Sequence, residues 1–385
     1  MTLTIPSIDF GRFHEQLLQR QQTRVESQLV GDLQPLAFCL PNSQAVTYRL
    51  VNGVVGIEMS LANDAVTVIE MNDAAFAAFA SEYLTAPGLQ IQQMISFRRG
   101  DYGQFDAWEP VLRSLYSQRP IYDPNQVPTD VLDTTFVWGS SSTLEIAYFL
   151  QAFGFAVVRN VFSLAEVEAF DKEIDRLTAL ASPSDGQSWW VQGAAGDDRV
   201  CQLHYTSLLS ELFAGLESDD RIQAIVNEVD QSFVPHPEIG NGHFAVVKNP
   251  GVTGGLTDLP WHVDCGLGGH PVLCPSLHIG VQIRAMNEHS GEMKFLAGSH
   301  LACVPRPTKD QLSTLPVVTV HAEPGDITLH FPDALHAAPP PNGSGEGRRT
   351  LYLSYGRPEL STVFGYKQGY DQMLFKGDGH VEFNY

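Results

Sequence analysis

Residues 317–331, VVTVHAEPGDITLHF, decide the fold, because two strand-like runs flank a Pro324-Gly325 turn. Similar short runs recur in this part of the chain, each bounded by Gly, Pro or Asn: HFAVVKN (243–249), LHIGVQIRAM (277–286), MKFLAGS (293–299) and TLYLSYG (350–356). Many short strands bounded by such turn residues are typical of a β-sandwich or a β-barrel. We therefore predict a mainly β structure from residue 242 onward.

Helices are predicted just before these strands, in residues 144–180. A first helix reaches the Gly154 turn, a strand FAVVRNV follows, and Ser163 caps a second helix. Apolar residues recur at helical spacing in that second helix: Val167, Phe170, Ile174 and Leu177. Residues 181–199 are mostly small and include two adjacent tryptophans, so we predict a long loop there.

The first part of the chain has a different order of elements. We predict an amphipathic helix over residues 13–29, strands joined by an Asn52-Gly53 hairpin turn, a helix capped at Asn72-Asp73, a further strand and a last helix. The chain is then a small α+β domain (1–125), a linker rich in Pro, Asp and Ser (126–142) and a larger domain (143–385). The order of elements in the small domain resembles sterol-carrier-like lipid-binding domains. We find no catalytic pattern in it and expect a role in packing or in forming a homodimer.

The composition restricts the partners of the protein. With 44 acidic and 23 basic residues, the formal net charge is -21, which disfavours binding to nucleic acids and to anionic membrane surfaces. A local cationic pocket can still bind a small anion, because distant charges are screened. The five cysteines form no CxxC pair, and neither a signal peptide nor a membrane-spanning run is apparent. We expect a cytoplasmic protein with a small-molecule substrate.

Residues 260–264, PWHVD, predict the chemistry. Residues i and i+2 of a strand point to the same face, so His262 and Asp264 can reach one metal ion. A third ligand must come from another strand, and His336 in LHFPDALHAA is placed to supply it. Two histidines and one carboxylate form a facial triad that leaves positions on iron(II) for a bidentate 2-oxoacid and O₂. A structural zinc site, closed by four ligands, has no such open positions.

A site of this kind also needs a cation for the far carboxylate of the 2-oxoacid. Arg348 and Arg349 begin the strand RRTLYLSY, and a planar guanidinium can bind a carboxylate through two parallel hydrogen bonds. Alternation puts Arg348, Thr350 and Tyr352 on one face and Arg349 with two leucines on the other. Periodicity alone therefore leaves both arginines open.

Five segments, taken in order, resemble the phytanoyl-CoA dioxygenase family of double-stranded β-helix enzymes. They are FLQAFGFAVVRNVFSLAEVEAF (149–170), LPWHVD (259–264), SGEMKFLAGSH (290–300), PGDITLHFPDALHAA (324–338) and NGSGEGRRTLYLSY (342–355). The resemblance implies a jelly-roll, cupin-like core with flanking helices, here preceded by the small α+β domain. It also implies iron(II), with 2-oxoglutarate and O₂ as co-substrates, and His262, Asp264 and His336 as the metal ligands.

The resemblance also favours one of the two arginines. The interval from Asn342 to Arg348 matches the family, which implies that Arg348 holds 2-oxoglutarate, and Lys248 lies where relatives carry a lysine. We assign Arg348, Lys248 and Thr350 to co-substrate binding. Asp264 stands where related halogenases have Ala or Gly, so the resemblance implies an oxidation other than halogenation.

Other histidines compete for these roles. His330 precedes His336 by six residues, but it lies within a predicted strand and fits a hydrogen-bonded core histidine. We expect His300 to have a structural role in the GSH turn, and we assign no special role to His278 or His321.

The substrate contacts rest on fewer observations. We predict that Trp189 and Trp190 form a lid on the long loop, with Gln202, His204 and His270 as further contacts. The expected reaction is oxidation of a C–H bond, by default hydroxylation, while 2-oxoglutarate becomes succinate and CO₂. The alternatives are a non-catalytic metabolite- or lipid-binding protein on the same fold, or a cupin-type metal isomerase.

Overall fold

The computed structural model of the chain describes residues 5–20, 24–25, 27–193, 195–252, 254–264, 274–342 and 345–360. Its first part is a five-stranded sheet with helices packed against it. The elements are α1 (Phe10–Gln19), β1 (Leu36–Cys39), β2 (Ala45–Val51), β3 (Val54–Glu58), β4 (Thr67–Met71), α2 (Asp73–Ala80), α3 (Ala86–Ile91), β5 (Ile95–Arg99) and α4 (Tyr102–Ser117). The strand order is β3-β2-β1-β4-β5, and β1 and β4 run parallel.

Two local predictions for this part are confirmed. Asn52 and Gly53 both have positive φ and join β2 to β3 as an antiparallel hairpin. The Asn72 side chain accepts a hydrogen bond from the backbone N–H of Ala75 and begins α2. The helix predicted over residues 13–29 is wrong in extent, because α1 runs from Phe10 to Gln19 and residues 27–30 form a turn.

The second part is mainly β. Its elements are β6 (Phe136–Val137), α5 (Thr143–Phe153), β7 (Phe155–Arg159), α6 (Leu164–Leu180), β8 (Ser188–Gln192), β9 (Asp198–Leu203), α7 (Thr206–Leu209), α8 (Glu211–Gly215), α9 (Asp220–Val229), β10 (Val234–Pro235), β11 (Phe244–Lys248), β12 (Leu259–His262), β13 (Ser276–Gln282), β14 (Met293–Leu296), α10 (Lys309–Leu312), β15 (Val317–Val320), β16 (Ile327–His330), β17 (His336–Ala338) and β18 (Arg348–Gly356).

Two sheets enclose the core of this part. The large sheet has the order β6-β7-β16-β13-β18-β11-β9-β8, with β10 also paired to β18, and the small sheet has the order β12-β17-β14-β15. Phe295 of the small sheet stacks on Phe155 of the large one, with ring centroids 5.1 Å apart. The Tyr352 hydroxyl of the large sheet contacts Met293 Sδ of the small sheet at 3.0 Å. This is the jelly-roll, double-stranded β-helix arrangement that the sequence predicted.

The helices before the jelly roll begin and end as predicted. Ser142 and Ser163 cap α5 and α6, each through a reciprocal capping box with a glutamate three residues later. Gly154 ends α5 with φ +85, and a Cβ there would lie 2.7 Å from His300 Nδ1. Glycine is therefore required at this turn, because the turn carries positive φ and packs against His300.

The predicted loop after α6 is wrong for residues 188–192. They form β8, which pairs with β9 as an antiparallel hairpin, and Trp189 and Trp190 therefore lie on a strand. Gly193, Gly196 and Asp197 belong to the turn of that hairpin, where the Gly193 N–H donates to the Asp197 carbonyl. A tryptophan lid on a long loop is thus not what this segment forms.

Several contacts join the two parts of the chain. The guanidinium of Arg119, just after α4, donates to the His300 carbonyl at 2.5 Å, and the Tyr122 hydroxyl donates to the Ala297 carbonyl at 2.7 Å. The segment predicted as a linker carries β6, which pairs in parallel with β7, and Phe136 in it is buried. Among the described residues, no helix has the length and apolar character needed to cross a bilayer.

Candidate active site

Two paired strands of the small sheet bring the predicted metal ligands together. His262, at the end of β12, and His336, at the start of β17, are cross-strand partners. Asp264 follows β12, and its backbone N–H donates to the Pro332 carbonyl at 2.8 Å. One ligand atom from each of His262, Asp264 and His336 lies within 4.8 Å of the other two. His336 thus meets two residues, Asp264 and His262, that precede it in the sequence by 72 and 74 positions.

Hydrogen bonds orient both imidazoles for metal binding. His262 Nδ1 lies 2.7 Å from the Pro260 carbonyl, and His336 Nδ1 lies 2.9 Å from the Ala334 carbonyl. A carbonyl can only accept, so each Nδ1 carries the proton and each Nε2 has its lone pair available. The Nε2 atoms lie 3.3 Å and 3.7 Å from Asp264 Oδ1. Two nitrogen donors and one oxygen donor facing each other fit a divalent iron ion.

The pKa values suit the same role. Burial and then the neighbouring His262 lower the pKa of His336 to about 3, against the opposing charge of Asp264, so this imidazole is neutral at neutral pH. Burial would also lower the pKa of His262, but the hydrogen bond and charge of Asp264 raise it. Burial opposes ionisation of Asp264, yet His336 and His262 hold its pKa well below the usual range. The site therefore presents an ionised carboxylate to a cation.

A buried cation lies on the opposite sheet. Arg348, on β18, is 2% exposed, and its Nη1 donates to the Gly291 carbonyl at 2.8 Å. Its Nε has no hydrogen-bond partner, and no carboxylate pairs with this guanidinium within the described ranges. A buried charge of this kind is costly unless an anion accompanies it. The unpartnered Nε fits the far carboxylate of 2-oxoglutarate.

Lys248 is a second buried cation and the cross-strand partner of Arg348. Burial, and then the charge of Arg348, lower the pKa of Lys248 well below its ordinary value. Its Nζ donates to the carbonyls of Ala338 and Pro339 at 2.7 Å and 2.6 Å. Lys248 therefore ties β11 to the end of the strand that carries His336.

Arg349 lies on the other face of β18. Its guanidinium pairs with Asp171 and Asp175 of α6, each at 2.7 Å. Of the two arginines that periodicity left open, Arg348 is the one that lines the cavity beside the histidines.

Comparison with known proteins identifies the family. The model of the family "Phytanoyl-CoA dioxygenase (PhyH)" matches residues 150–350, just over half of the chain. The chain belongs to the phytanoyl-CoA dioxygenase family. The predicted family, and with it the enzyme class of 2-oxoglutarate-dependent oxygenases, are confirmed. A search of curated proteins found no match.

Several solved structures are similar to the chain. They include the non-heme alpha ketoglutarate dependent epimerase SnoN from nogalamycin biosynthesis (21% identity over 58% of this chain and 88% of that one, TM-score 0.44). They also include EctD from S. alaskensis with bound Fe (19%, 62% and 83%, TM-score 0.47) and the carbocyclase SnoK from nogalamycin biosynthesis (19%, 64% and 97%, TM-score 0.46).

A cavity of about 970 Å³ opens in front of the triad of this dioxygenase. Its described walls are largely apolar and aromatic and include Phe244, Trp261, Met293, Tyr352 and Leu360. The first part of the chain contributes Pro87, Gln90 and Ile91 of α3 and Tyr102 of α4. A space of this size accommodates a small organic molecule of many heavy atoms.

Only some of the other predicted site residues line this cavity. Trp189 and Gln202 line it, whereas Trp190 and His204 do not. Trp190 Nε1 donates to Ser188 Oγ, and the His204 ring packs on Trp189. Thr350 is buried and donates its hydroxyl proton to Gln282 Oε1 at 2.9 Å, away from the cavity. His270 lies outside the described residues.

His278 and His330 also line the cavity, although no function was predicted for them from the sequence. His278 and His330 are cross-strand partners on β13 and β16, and their Nε2 atoms lie 3.7 Å and 3.5 Å from Asp264 Oδ2. A signal for them exists in the sequence. In LHIGVQ and ITLH the apolar residues alternate with other residues, so His278 and His330 lie on the less apolar face of their strands, and both line the cavity.

Proposed function

We propose that the chain oxidises a C–H bond of a small organic molecule, with hydroxylation as the outcome. The iron(II) would be held by His262, Asp264 and His336, and 2-oxoglutarate would be held by Arg348. One observation carries the proposal: the triad and the guanidinium of Arg348, which pairs with no carboxylate in the part of the chain that the structure describes, line the same cavity from two facing sheets. When bound, iron and 2-oxoglutarate supply the oxidising power, since together they activate O₂ while 2-oxoglutarate becomes succinate and CO₂.

The protein's own contribution begins with the geometry of the ligands. Because both Nδ1 protons are held by backbone carbonyls, the imidazoles of His262 and His336 keep their Nε2 lone pairs directed at one point. Such outer hydrogen bonds fix the tautomer and ring orientation of histidine ligands. With three protein ligands, a bound iron ion would keep coordination positions available for the co-substrates.

Arg348 would anchor and orient 2-oxoglutarate. In a water-poor pocket the guanidinium attracts a carboxylate more strongly than it would in water. Gly291 orients the guanidinium by accepting from Nη1 at 2.8 Å, which leaves Nε for the anion. Lys248 donates two of its Nζ protons to backbone carbonyls, so we assign it a supporting role.

The remaining cavity would take the substrate. Trp189 and Gln202 of the β8–β9 hairpin form one side, and α3 of the first part of the chain forms another. We propose that residues 1–125 complete this wall as well as packing against the catalytic part. The aromatic lining favours a substrate with an apolar body, and positioning of its C–H bond would decide the product. A non-catalytic carrier or a cupin-type isomerase would have no use for the buried Arg348.

The experiment is turnover of 2-oxoglutarate. The purified protein is loaded with iron(II) without oxygen, mixed with 2-oxoglutarate and air, and succinate is quantified. We expect slow succinate formation by the wild type and a loss of at least 100-fold in His262→Ala, with His321→Ala at an exposed histidine as the control. Equal turnover by His262→Ala and wild type would show that the proposal is wrong.

A further inference from the structure

His330 is placed to act on Asp264. Its ring is buried at the end of β16, 2% exposed, with its centroid 5.1 Å from that of His336. Nε2 of His330 lies 3.5 Å from Asp264 Oδ2. The two carboxylate oxygens of Asp264 therefore face different histidines. Oδ1 faces His262 and His336, and Oδ2 faces His330.

The position of the proton on His330 follows from its surroundings. Nδ1 is buried and has no hydrogen-bond partner among the residues that the structure describes. A neutral imidazole has one N–H, and it is stabilised where an acceptor faces it, which here is the Nε2 side. A charged imidazole has an N–H on both nitrogens. In either state, Nε2 of His330 carries a proton directed at Asp264.

This arrangement is the opposite of that in the two ligand histidines. In His262 and His336 a backbone carbonyl takes the Nδ1 proton, which frees Nε2 for a metal. His330 has no carbonyl at Nδ1, so its Nε2 is a donor and not a metal ligand. The difference explains how His330 can lie in the metal centre and still leave the triad at three residues.

We propose that His330 is a positioning residue that donates from Nε2 to Asp264 Oδ2 and keeps this carboxylate bound to iron through Oδ1 alone. The inference rests on the proposed function. A carboxylate that used both oxygens would occupy one of the positions that the 2-oxoacid and O₂ need. His278, whose Nε2 is 3.7 Å from the same oxygen and whose Nδ1 meets Ser354 Oγ at 3.1 Å, supports the same side of Asp264.

The test compares three variants of His330. His330→Gln places an amide N–H close to the original Nε2, whereas His330→Asn is too short to reach Oδ2, and His330→Leu has no donor. The measurements are the affinity for Mn²⁺ and the visible charge-transfer absorption of the anaerobic protein with iron(II) and 2-oxoglutarate. Thermal unfolding of each variant shows whether it is folded, and His321→Gln, at an exposed position, is the control.

We expect His330→Asn and His330→Leu to bind Mn²⁺ about 10- to 100-fold more weakly, as is typical when an outer partner of a metal ligand is lost. Their charge-transfer band should be shifted or weakened, and His330→Gln should stay close to the wild type in both measurements. The inference is overturned if the folded Asn variant matches the wild type, or if Gln is impaired as much as Asn. If the wild type itself shows no metal binding and no band, the proposed function fails instead.

Discussion

Arg348 and Arg349 are consecutive residues of β18 whose guanidinium groups lie on opposite faces of the large sheet. Arg348 reaches the cavity and pairs with no carboxylate among the described residues, while Arg349 is held by Asp171 and Asp175 of α6. One arginine is therefore suited to bind a ligand, and its neighbour joins a helix to the sheet.

This pair yields a matched test of 2-oxoglutarate binding. We expect Arg348→Met to raise the KM for 2-oxoglutarate by at least 30-fold, because removal of one partner of a buried charge pair costs about 2–5 kcal/mol. Arg349→Met should leave this KM within twofold and lower the free energy of unfolding instead. Succinate formation at varied 2-oxoglutarate and a denaturant titration measure both quantities. A KM raised equally in the two variants would contradict the assignment.

Metal binding should also appear as stability, without any substrate. A ligand that binds only the folded state stabilises it by about 2.7 kcal/mol at 100-fold excess over its Kd. We expect Mn²⁺ to raise the midpoint of thermal unfolding of the wild type and a chelator to reverse the rise. His336→Ala should lose this response. His300→Ala removes another buried histidine, whose Nε2 faces the Gln151 carbonyl. This variant should still be stabilised by Mn²⁺.

The three metal ligands could be predicted from the sequence because two kinds of pattern coincide. Residues 262 and 264 share a strand face by alternation, and the order of the later segments singles out His336. What separates His336 from His330 physically is the Ala334 carbonyl that meets Nδ1 of His336, a contact set by the local backbone conformation and not by the residue types in the pattern. The same holds for Arg348 and Arg349, since each face of β18 is buried against a different neighbour.

The tryptophan hairpin shows why other predictions failed. Residues 188–192 include the strand formers Trp189, Trp190 and Val191, but small residues surround them, and strand formation depends on pairing with β9. The cavity wall formed by α3 could not be predicted either, because it arises where two separately packed parts of the chain meet. Local signals such as the caps of α2 and α6 were predicted correctly, since they depend on residues only three positions apart.

The first part of the chain should make the protein sensitive to acid through His14. Burial lowers the pKa of this histidine from 6.5 to about 4, while its contact with the Phe10 carbonyl raises it slightly. Between these two values the unfolded chain binds a proton that the folded one does not, so stability is full above pH 6.5 and is lost as the pH falls towards 4. The difference corresponds to about 3 kcal/mol.

Replacement of His14 by Phe should flatten this dependence. Tyr48, which hydrogen-bonds to His14, keeps Tyr116 as a partner at 2.6 Å, so its hydroxyl is not left alone. The measurement is the free energy of unfolding by denaturant at pH 4.5 and 7. We expect the difference between the two pH values to shrink by about 2 kcal/mol or more in His14→Phe and to stay unchanged in His289→Gln, at an exposed site. An unchanged difference in His14→Phe would refute the prediction.

Arg119 should hold the two parts of the chain together. It donates to the His300 carbonyl at 2.5 Å and lies 3.8 Å from buried Glu82. We expect Arg119→Met to lower the free energy of unfolding by about 1.5–3 kcal/mol, the range for hydrogen bonds to charged groups. Arg98→Met breaks an exposed pair with Glu70, which solvent screens, and should lower the free energy of unfolding much less. Equal losses in the two variants would argue against a joining role for Arg119.

The contribution of α3 to the cavity can be tested with an apolar probe. Ile91 lines the cavity and is 41% exposed, so a bound apolar molecule can cover the rest of its side chain. Covering part of an isoleucine contributes about 1 kcal/mol, and Ile91→Asp should therefore weaken the binding of anilinonaphthalene sulfonate about fivefold. Leu164→Asp alters an even more exposed apolar residue on α6 that does not line the cavity. It should leave the affinity for this probe unchanged. Fluorescence titration of the Mn²⁺-loaded protein gives both affinities. If Ile91→Asp binds the probe as tightly as Leu164→Asp does, the wall formed by the first part of the chain does not contribute to binding.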